Sequence, residues 1–191
     1  MRKILLLAAG LALASAATAQ AAEKYTFDPS HSQILFSYNH LGFSTTYGMF
    51  SGFDGTIMLD EADPSKSTVS TAFKAGDMMT GWDKRMTHFM SPDFFKEGKD
   101  SPVSFESTKV EVTGEKTAKI TGNLTLNGVT KPVVLDARLN KMGKHPTAGK
   151  PWAGFEATTM LKRSDFGLEK FAPYVGDEVE LQISVEAMQA G

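Results

Sequence analysis

KITGNLTLNGVTKPVVLDARL, residues 119–139, alternates apolar and polar side chains on both sides of an Asn-Gly pair. Ile120, Gly122, Leu124 and Leu126 share one face, while Lys119, Thr121, Asn123 and Thr125 share the other. After Asn127-Gly128 the pattern resumes with Val133, Leu135, Ala137 and Leu139. Successive side chains of a strand point to opposite faces, so this period of two describes strands with one buried and one wet face. The Asn-Gly dipeptide suits the positive φ values of a type I′ turn, which joins the two strands as a hairpin. Pro132 has no N–H to give to a ladder and is predicted to start its strand at an edge or bulge.

The same period runs through the rest of the chain. Ile34-Phe36-Tyr38-His40, Phe53-Gly55-Ile57-Leu59 and Val69-Thr71-Phe73 each carry it. So do Val103-Phe105-Ser107 leading toward Val110 and Val112, Phe155-Ala157-Thr159-Leu161, and Val179-Leu181-Ile183-Val185. One segment breaks it. Between Asp77 and Phe95, Trp82, Met86, Phe89 and Met90 fall at helical spacing, with Thr80 or Gly81 as the opening and Ser91-Pro92 as the stop. About eight antiparallel strands and one short helix make an all-β domain. Eight such strands can close into an up-and-down barrel that holds one small ligand; an open sandwich is the alternative.

Composition narrows the function. The chain has 191 residues, 20 Lys+Arg against 22 Asp+Glu, and no cysteine. Disulfides, thiolate metal sites and cysteine nucleophiles are therefore excluded, and nothing basic invites nucleic acid. Residues 1–21 read as a signal peptide: Arg2 and Lys3, an uncharged apolar run from Ile4 to Ala14, then small residues with Ala-x-Ala at 17–19 and 19–21. The apolar run is about half of what a membrane span needs. Cleavage near Ala19 or Ala21 removes Arg2 and Lys3 but no acid, which takes the formal charge from −2 to −4. The expectation is export to the periplasm, with residues 22–191 as one domain. Phe 13 and Met 10 outnumber Trp 2 and Tyr 4. That excess of plain apolar side chains fits either a thick core or a lined cavity.

Catalytic signatures are missing. The chain contains no G-x-S-x-G, P-loop, H-E-x-x-H or G-x-G-x-x-G. His31, His40, His88 and His145 show no metal-ligand spacing, so no metal is expected. His40 continues the Ile34-Phe36-Tyr38 face and is read as a hydrogen-bonded inward histidine. Arg85 and His88 share a helix face; they either meet an anionic headgroup at a cavity rim or simply face water.

Several motifs together resemble the YceI-like family. Asp28-x-x-His31-Ser32, then Phe36-x-x-x-His40-Leu41-Gly42-Phe43 and Gly48-x-Phe50, resemble its opening. Phe53-Asp54-Gly55-Thr56, Arg85-x-x-His88 and Ser91-x-Asp93-Phe94-Phe95 follow in order. Gly122-x-Leu124 through Val133, Arg163-Ser164-Asp165-Phe166-Gly167 and Val175-Gly176-Asp177-Glu178-Val179 complete the likeness from about Lys24 onward. Met86 and Met90 depart from it, standing where the family commonly has Asp and Arg.

The resemblance implies an eight-stranded antiparallel lipocalin-like barrel with one short helix, enclosing an isoprenoid lipid or quinone-like amphiphile without catalysis and without another cofactor. Its expected lining comprises Phe36, Tyr38, His40, Phe43, Phe50, Phe53, Met78, Trp82, Met86, Phe89, Phe105, Phe166 and Phe171, with Arg85 and His88 at the polar end. Flat rings and adaptable thioethers suit a flexible apolar tail. The competing readings are a lipid-modifying enzyme using His40 or His88 and a small outer-membrane barrel. No stable membrane insertion is expected, and a homodimer through a strand edge or the helix stays open.

Overall fold

The computed structural model describes residues 22–190; the predicted signal peptide lies outside them. The strands are β1 (Glu23–Phe27), β2 (Gln33–His40), β3 (Ser44–Ser51), β4 (Asp54–Leu59), β5 (Thr68–Lys74) and β6 (Met78–Met79). After helix α1 (Asp83–Phe89) come β7 (Pro102–Gly114), β8 (Thr117–Leu126), β9 (Val129–Lys144), β10 (Pro151–Lys162) and β11 (Val175–Gln189).

Register reduces these eleven segments to eight walls. β11 pairs along one edge with β10. Its other edge pairs with β1 at Phe27↔Ala187 and with β2 at Ile34↔Ile183. β1 and β2 are thus one strand, interrupted by the turn at Pro29–His31. β3 and β4 form the next, since β2 pairs with β3 and β1 with β4. β5 and β6 form the third, lying against β4 and β3 respectively. From there β7, β8, β9, β10 and β11 follow in sequence order, and every pairing is antiparallel. The result is a closed eight-stranded up-and-down barrel, as expected.

Local chemistry explains the details. Asn127 and Gly128 adopt φ of 53° and 76°, the values a type I′ hairpin demands. Pro132 departs from expectation, because β9 begins three residues earlier at Val129. It is tolerated there because β9 pairs with β10 only from Asp136 onward, leaving an edge beside Pro132 that needs no donor. A bulge between Ser107 and Lys109 shifts the inward phase of β7. It moves the apolar set from Val103 and Phe105 to Val110 and Val112. Helix α1 starts at Asp83 rather than at Thr80 or Gly81, because Gly81 is left-handed and Trp82 extended.

The two inner walls differ. Phe27, Phe36, Phe50, Phe53 and Phe73 interlock on the interrupted strands, with ring centroids 5.0–6.1 Å apart from Phe27–Phe53 to Phe50–Phe73. The facing wall is aliphatic: Ile120, Leu124, Val133, Leu135 and Leu139. Outside, charged residues stand directly opposite one another, as in Lys119–Asp136 and Arg138–Glu156. Outer-membrane barrels show the reverse, an apolar exterior band around a polar interior, so the outer-membrane reading is not supported by this exterior.

Aromatic rings lie flat over small residues of the wall. A Cβ added at Gly48 would sit 2.2 Å from Phe36 Cζ, its direct cross-strand partner, and one at Gly122 would sit 2.3 Å from Phe105 Cζ. At the helix end of the barrel, Arg163 ties down the β10–β11 connection. Its Nε donates to Gly176 O at 2.8 Å, Nη2 to Val175 O at 2.7 Å, and Nη1 to Lys170 O at 2.9 Å and to Leu168 O. Burial pushes this guanidinium below its ordinary range, yet arginine stays charged in proteins.

Two stability measurements follow from this packing. Gly48→Ala should destabilise by about 1–3 kcal/mol in urea unfolding, because a rigid buried ring must move, and Phe36→Leu in the same chain should recover part of it. Arg163→Met should lose about 2–4 kcal/mol by stripping four carbonyls of their donor. Arg163→Lys should rescue little, since an ammonium lacks the planar fork.

Candidate functional site

Inward apolar side chains of nearly every strand face a continuous cavity of about 1280 Å³. Ordinary small-molecule pockets run to about 1,000 Å³. The cavity extends along the barrel from the helix end, at His40, Leu41, Trp82 and Tyr174, to the opposite end, at Glu61, Glu115, Lys116 and Met142. Leu124, Leu126, Val133, Leu135, Leu139, Leu181 and Ile183 line it yet are only half-buried. All but Leu135 also pack against the buried core, so one side of each meets the core and the other faces open space, which answers the question left by composition. The excess of Phe and Met builds a core against one wall and lines a cavity in front of the other.

Of the expected lining residues, all but two border this volume: Phe36, Tyr38, His40, Phe50, Phe53, Met78, Trp82, Arg85, His88, Phe89, Phe105, Phe166 and Phe171. Phe43 does not. It sits in the β2–β3 turn, where strand alternation no longer applies, and is 89% exposed. Met86 also stays out, because its side of α1 packs against the barrel core. Sequence reasoning missed Phe73, Leu135, Leu181, Leu41 and Tyr174. The first three lay within recognised strand patterns, whereas the last two sit in turns with no periodic signal.

The helix end carries the polar groups. Arg85 and His88 both face the cavity from α1. Arg85 donates one bond, from Nη1 to Thr80 O at 3.0 Å, and its Cζ lies 6.0 Å from the Trp82 ring. It has no carboxylate partner among the described residues, so its remaining N–H groups are available. His88 is held in place: Nε2 lies 3.3 Å from Asp93 Oδ2, and the Phe94 and Phe171 rings meet its ring edge-on. Lys170 and then His88 hold the Asp93 carboxyl below its usual range. Tyr38 lies near both Arg85 and Arg163; burial raises its phenol, while a hydrogen bond with Thr46 and then those two cations oppose the rise. An uncharged phenol, two guanidiniums and an oriented imidazole thus gather at one end of an apolar tube. That arrangement can receive electron-rich or anionic oxygens attached to a long apolar chain.

Among the described residues, no serine or threonine hydroxyl is hydrogen-bonded to the ring of His40 or His88. Outside the barrel, Ser30, His31 and Asp28 do meet, but Ser30 Oγ (3.1 Å) and Asp28 Oδ2 (2.6 Å) approach the same ring nitrogen. A catalytic triad needs them on opposite nitrogens. Asp28, His31 and Glu186 bring ligand-type atoms within 4.8 Å of one another, a grouping that sequence spacing did not reveal. His31 is already bonded to Asp28, and Glu186 to Trp152 Nε1 at 2.8 Å.

Comparison with known proteins agrees with this geometry. The profile of the YceI-like domain matches residues 25–187. A UPF0312 protein of Azotobacter vinelandii is 44% identical over 185 residues, spanning 96% of this chain and 95% of that one. The crystal structure of the Campylobacter jejuni YceI protein is 31% identical, covers 80% of this chain and 90% of that one, and superposes with a TM-score of 0.72. A polyisoprenoid binding domain from Saccharophagus degradans, implicated in plant cell wall breakdown, shares the fold with a TM-score of 0.67 at 14% identity, over 90% of this chain and 100% of that one. The chain belongs to the YceI-like family.

Proposed function

We propose that this protein is a non-catalytic binding or carrier protein for a long isoprenoid lipid, polyprenyl or quinone-type. The tail lies along the barrel and the head sits near Arg85, Tyr38 and His88. The observation that carries this reading is the continuous apolar cavity of about 1280 Å³ with Arg85, Tyr38 and His88 at its helix end. Each buried methylene contributes about 0.8 kcal/mol, so a tail of many isoprene units gains affinity in proportion to the tube length it fills. The Saccharophagus degradans neighbour, described as binding polyisoprenoid, supports the same ligand class. The signal-peptide pattern of residues 1–21 supports action in the periplasm.

Native mass spectrometry of protein purified from cells should show a co-purifying lipid mass, and protein consistently free of lipid would count against the reading. A narrower test uses the middle of the tube. Ala137 and Ala157 are direct cross-strand partners that both line the cavity. Ala137→Phe should displace about four methylenes, worth about 3 kcal/mol and about two orders of magnitude in affinity for a long chain. Short-chain analogues that stop before that level should bind as before.

A further inference from the structure

The large exposed apolar side chains of the barrel are not evenly spread. Met58, Val134 and Met160 stand on the outer face of separate strands, which is ordinary for a protein surface, and Val112 and Met142 face the cavity at its opposite end. At the helix end, however, Leu41 (48% exposed), Phe43 (89%), Trp82 (57%), Phe171 (47%) and Tyr174 (76%) come from three separate turns around one opening. The turns touch one another: Leu41 N donates to Tyr174 O at 3.1 Å, and the Phe171 ring lies 5.8 Å from His88 on α1. Leu41, Trp82, Phe171 and Tyr174 also line the cavity, so the patch is the rim of its mouth.

Two further features set this rim apart. Between Asp28 and Asp54 the chain contains no Asp, Glu, Lys or Arg, so the β2–β3 hairpin that projects Leu41 and Phe43 carries no carboxylate, ammonium or guanidinium group. Leu41 and Phe171 hold left-handed φ values of 57° and 65°, in a region bulky residues avoid. Asn127 is the third described non-glycine residue with positive φ, and Asn is at home there. A backbone strained to present leucine and phenylalanine outward points to a use for those side chains.

We infer that this rim is a docking face for a lipid bilayer, with the Leu41–Phe43 turn inserted among the acyl chains and Trp82 and Tyr174 at headgroup level. The inference rests on the lipid-binding reading above. A water-insoluble tail reaches the tube only by leaving a membrane, and the rim residues are shared between the exposed patch and the tube. Trp and Tyr, apolar with one polar handle, are the side chains that settle at membrane interfaces. Lys84 and Arg85 sit beside Asp83, and Lys170 beside Glu169, so the surroundings are near charge balance. Binding should therefore be apolar in character and persist at high salt, unlike attraction to anionic headgroups, which salt screens.

Phe43 is the residue to change, because it is exposed and lies outside the cavity. Wild-type protein should co-sediment with phosphatidylcholine vesicles in both low and high salt. Phe43→Ser should weaken that partition by about tenfold or more while its lipid load in native mass spectrometry stays unchanged. In a Trp152→Phe background, Trp82 emission should shift to the blue with vesicles and be quenched by brominated acyl chains. Wild-type protein remaining in the supernatant, or Phe43→Ser binding like wild type, overturns the inference. So does a concentration-dependent dimer that Phe43→Ser disrupts in the absence of vesicle binding, since a second copy would then be the occupant. Vesicle binding by protein that never carries lipid supports the docking face while removing the cavity reading beneath it.

Discussion

Everything in this molecule depends on one strand pairing along two edges at once. β11 is 15 residues long, enough to reach from one end of the barrel to the other. One edge holds β10 through eleven residue pairs; the other holds β1 near its end and β2 near its start. An open sheet would leave two rows of unpaired N–H and C=O groups and a template for association. Closure removes both edges. It also creates an inside, and a ring of eight strands is about the size at which that inside can hold one ligand instead of being filled by side chains.

Whether the inside is filled depends on the three interrupted strands. The breaks at 28–32, around Gly52 and at Ala75–Asp77 let the wall bend inward, and Gly52 turns with φ of +77°. Phenylalanines crowd on that wall, with Phe36 and Phe27 stacked against Gly48 and Gly55 so that they take little depth. Across from them the strands from β8 to β10 run without such breaks and, Phe155 apart, turn smaller aliphatic groups to the cavity. Flat rings on one side and short side chains on the other leave a slot along the axis. The same asymmetry places the longer connections, α1 and the 163–174 segment, together at one end, where Arg163 fixes the second of them to β11.

Most of the barrel was legible because period-two alternation is a direct consequence of strand geometry. Each of the eight sequence segments falls on a different wall of the barrel. The segments that escaped notice, β1, β3 and β6, are continuations of walls already read. β1 is short, β6 has two residues, and Ser44–Ser51 carries mostly Ser, Thr and Gly, which weakens the contrast between its faces. The odd-to-even switch between Phe105 and Val110 was visible, but only the bulge explains it. At the site, the inward faces were legible and the turns were not. Phe43 was read as lining because it follows a strand motif, yet a turn obeys local backbone geometry rather than alternation. Arg163 carried no signal at all, since its partners are backbone carbonyls, which every residue type provides.

The size of the cavity constrains how such a barrel can exist. Dry voids in protein interiors destabilise by about 24 cal/mol per Å³ in the cores where this has been measured. At that rate about 1280 Å³ would cost about 30 kcal/mol, well above the ~5–15 kcal/mol net stability of a typical domain. The mouth is open, so the volume is not a sealed dry void, yet its wall offers water few hydrogen-bond partners away from the ends. A chain-like apolar ligand meets that wall on its own terms. On the proposed reading, binding and folding are then linked: a ligand held only by the native barrel stabilises it by RT ln(1 + [L]/Kd). Half-buried inward residues such as Leu135 and Leu181 become core residues only when the tube is filled. The strained, apolar rim fits the same logic, since a protein completed by its ligand gains from a mouth that opens where the ligand resides.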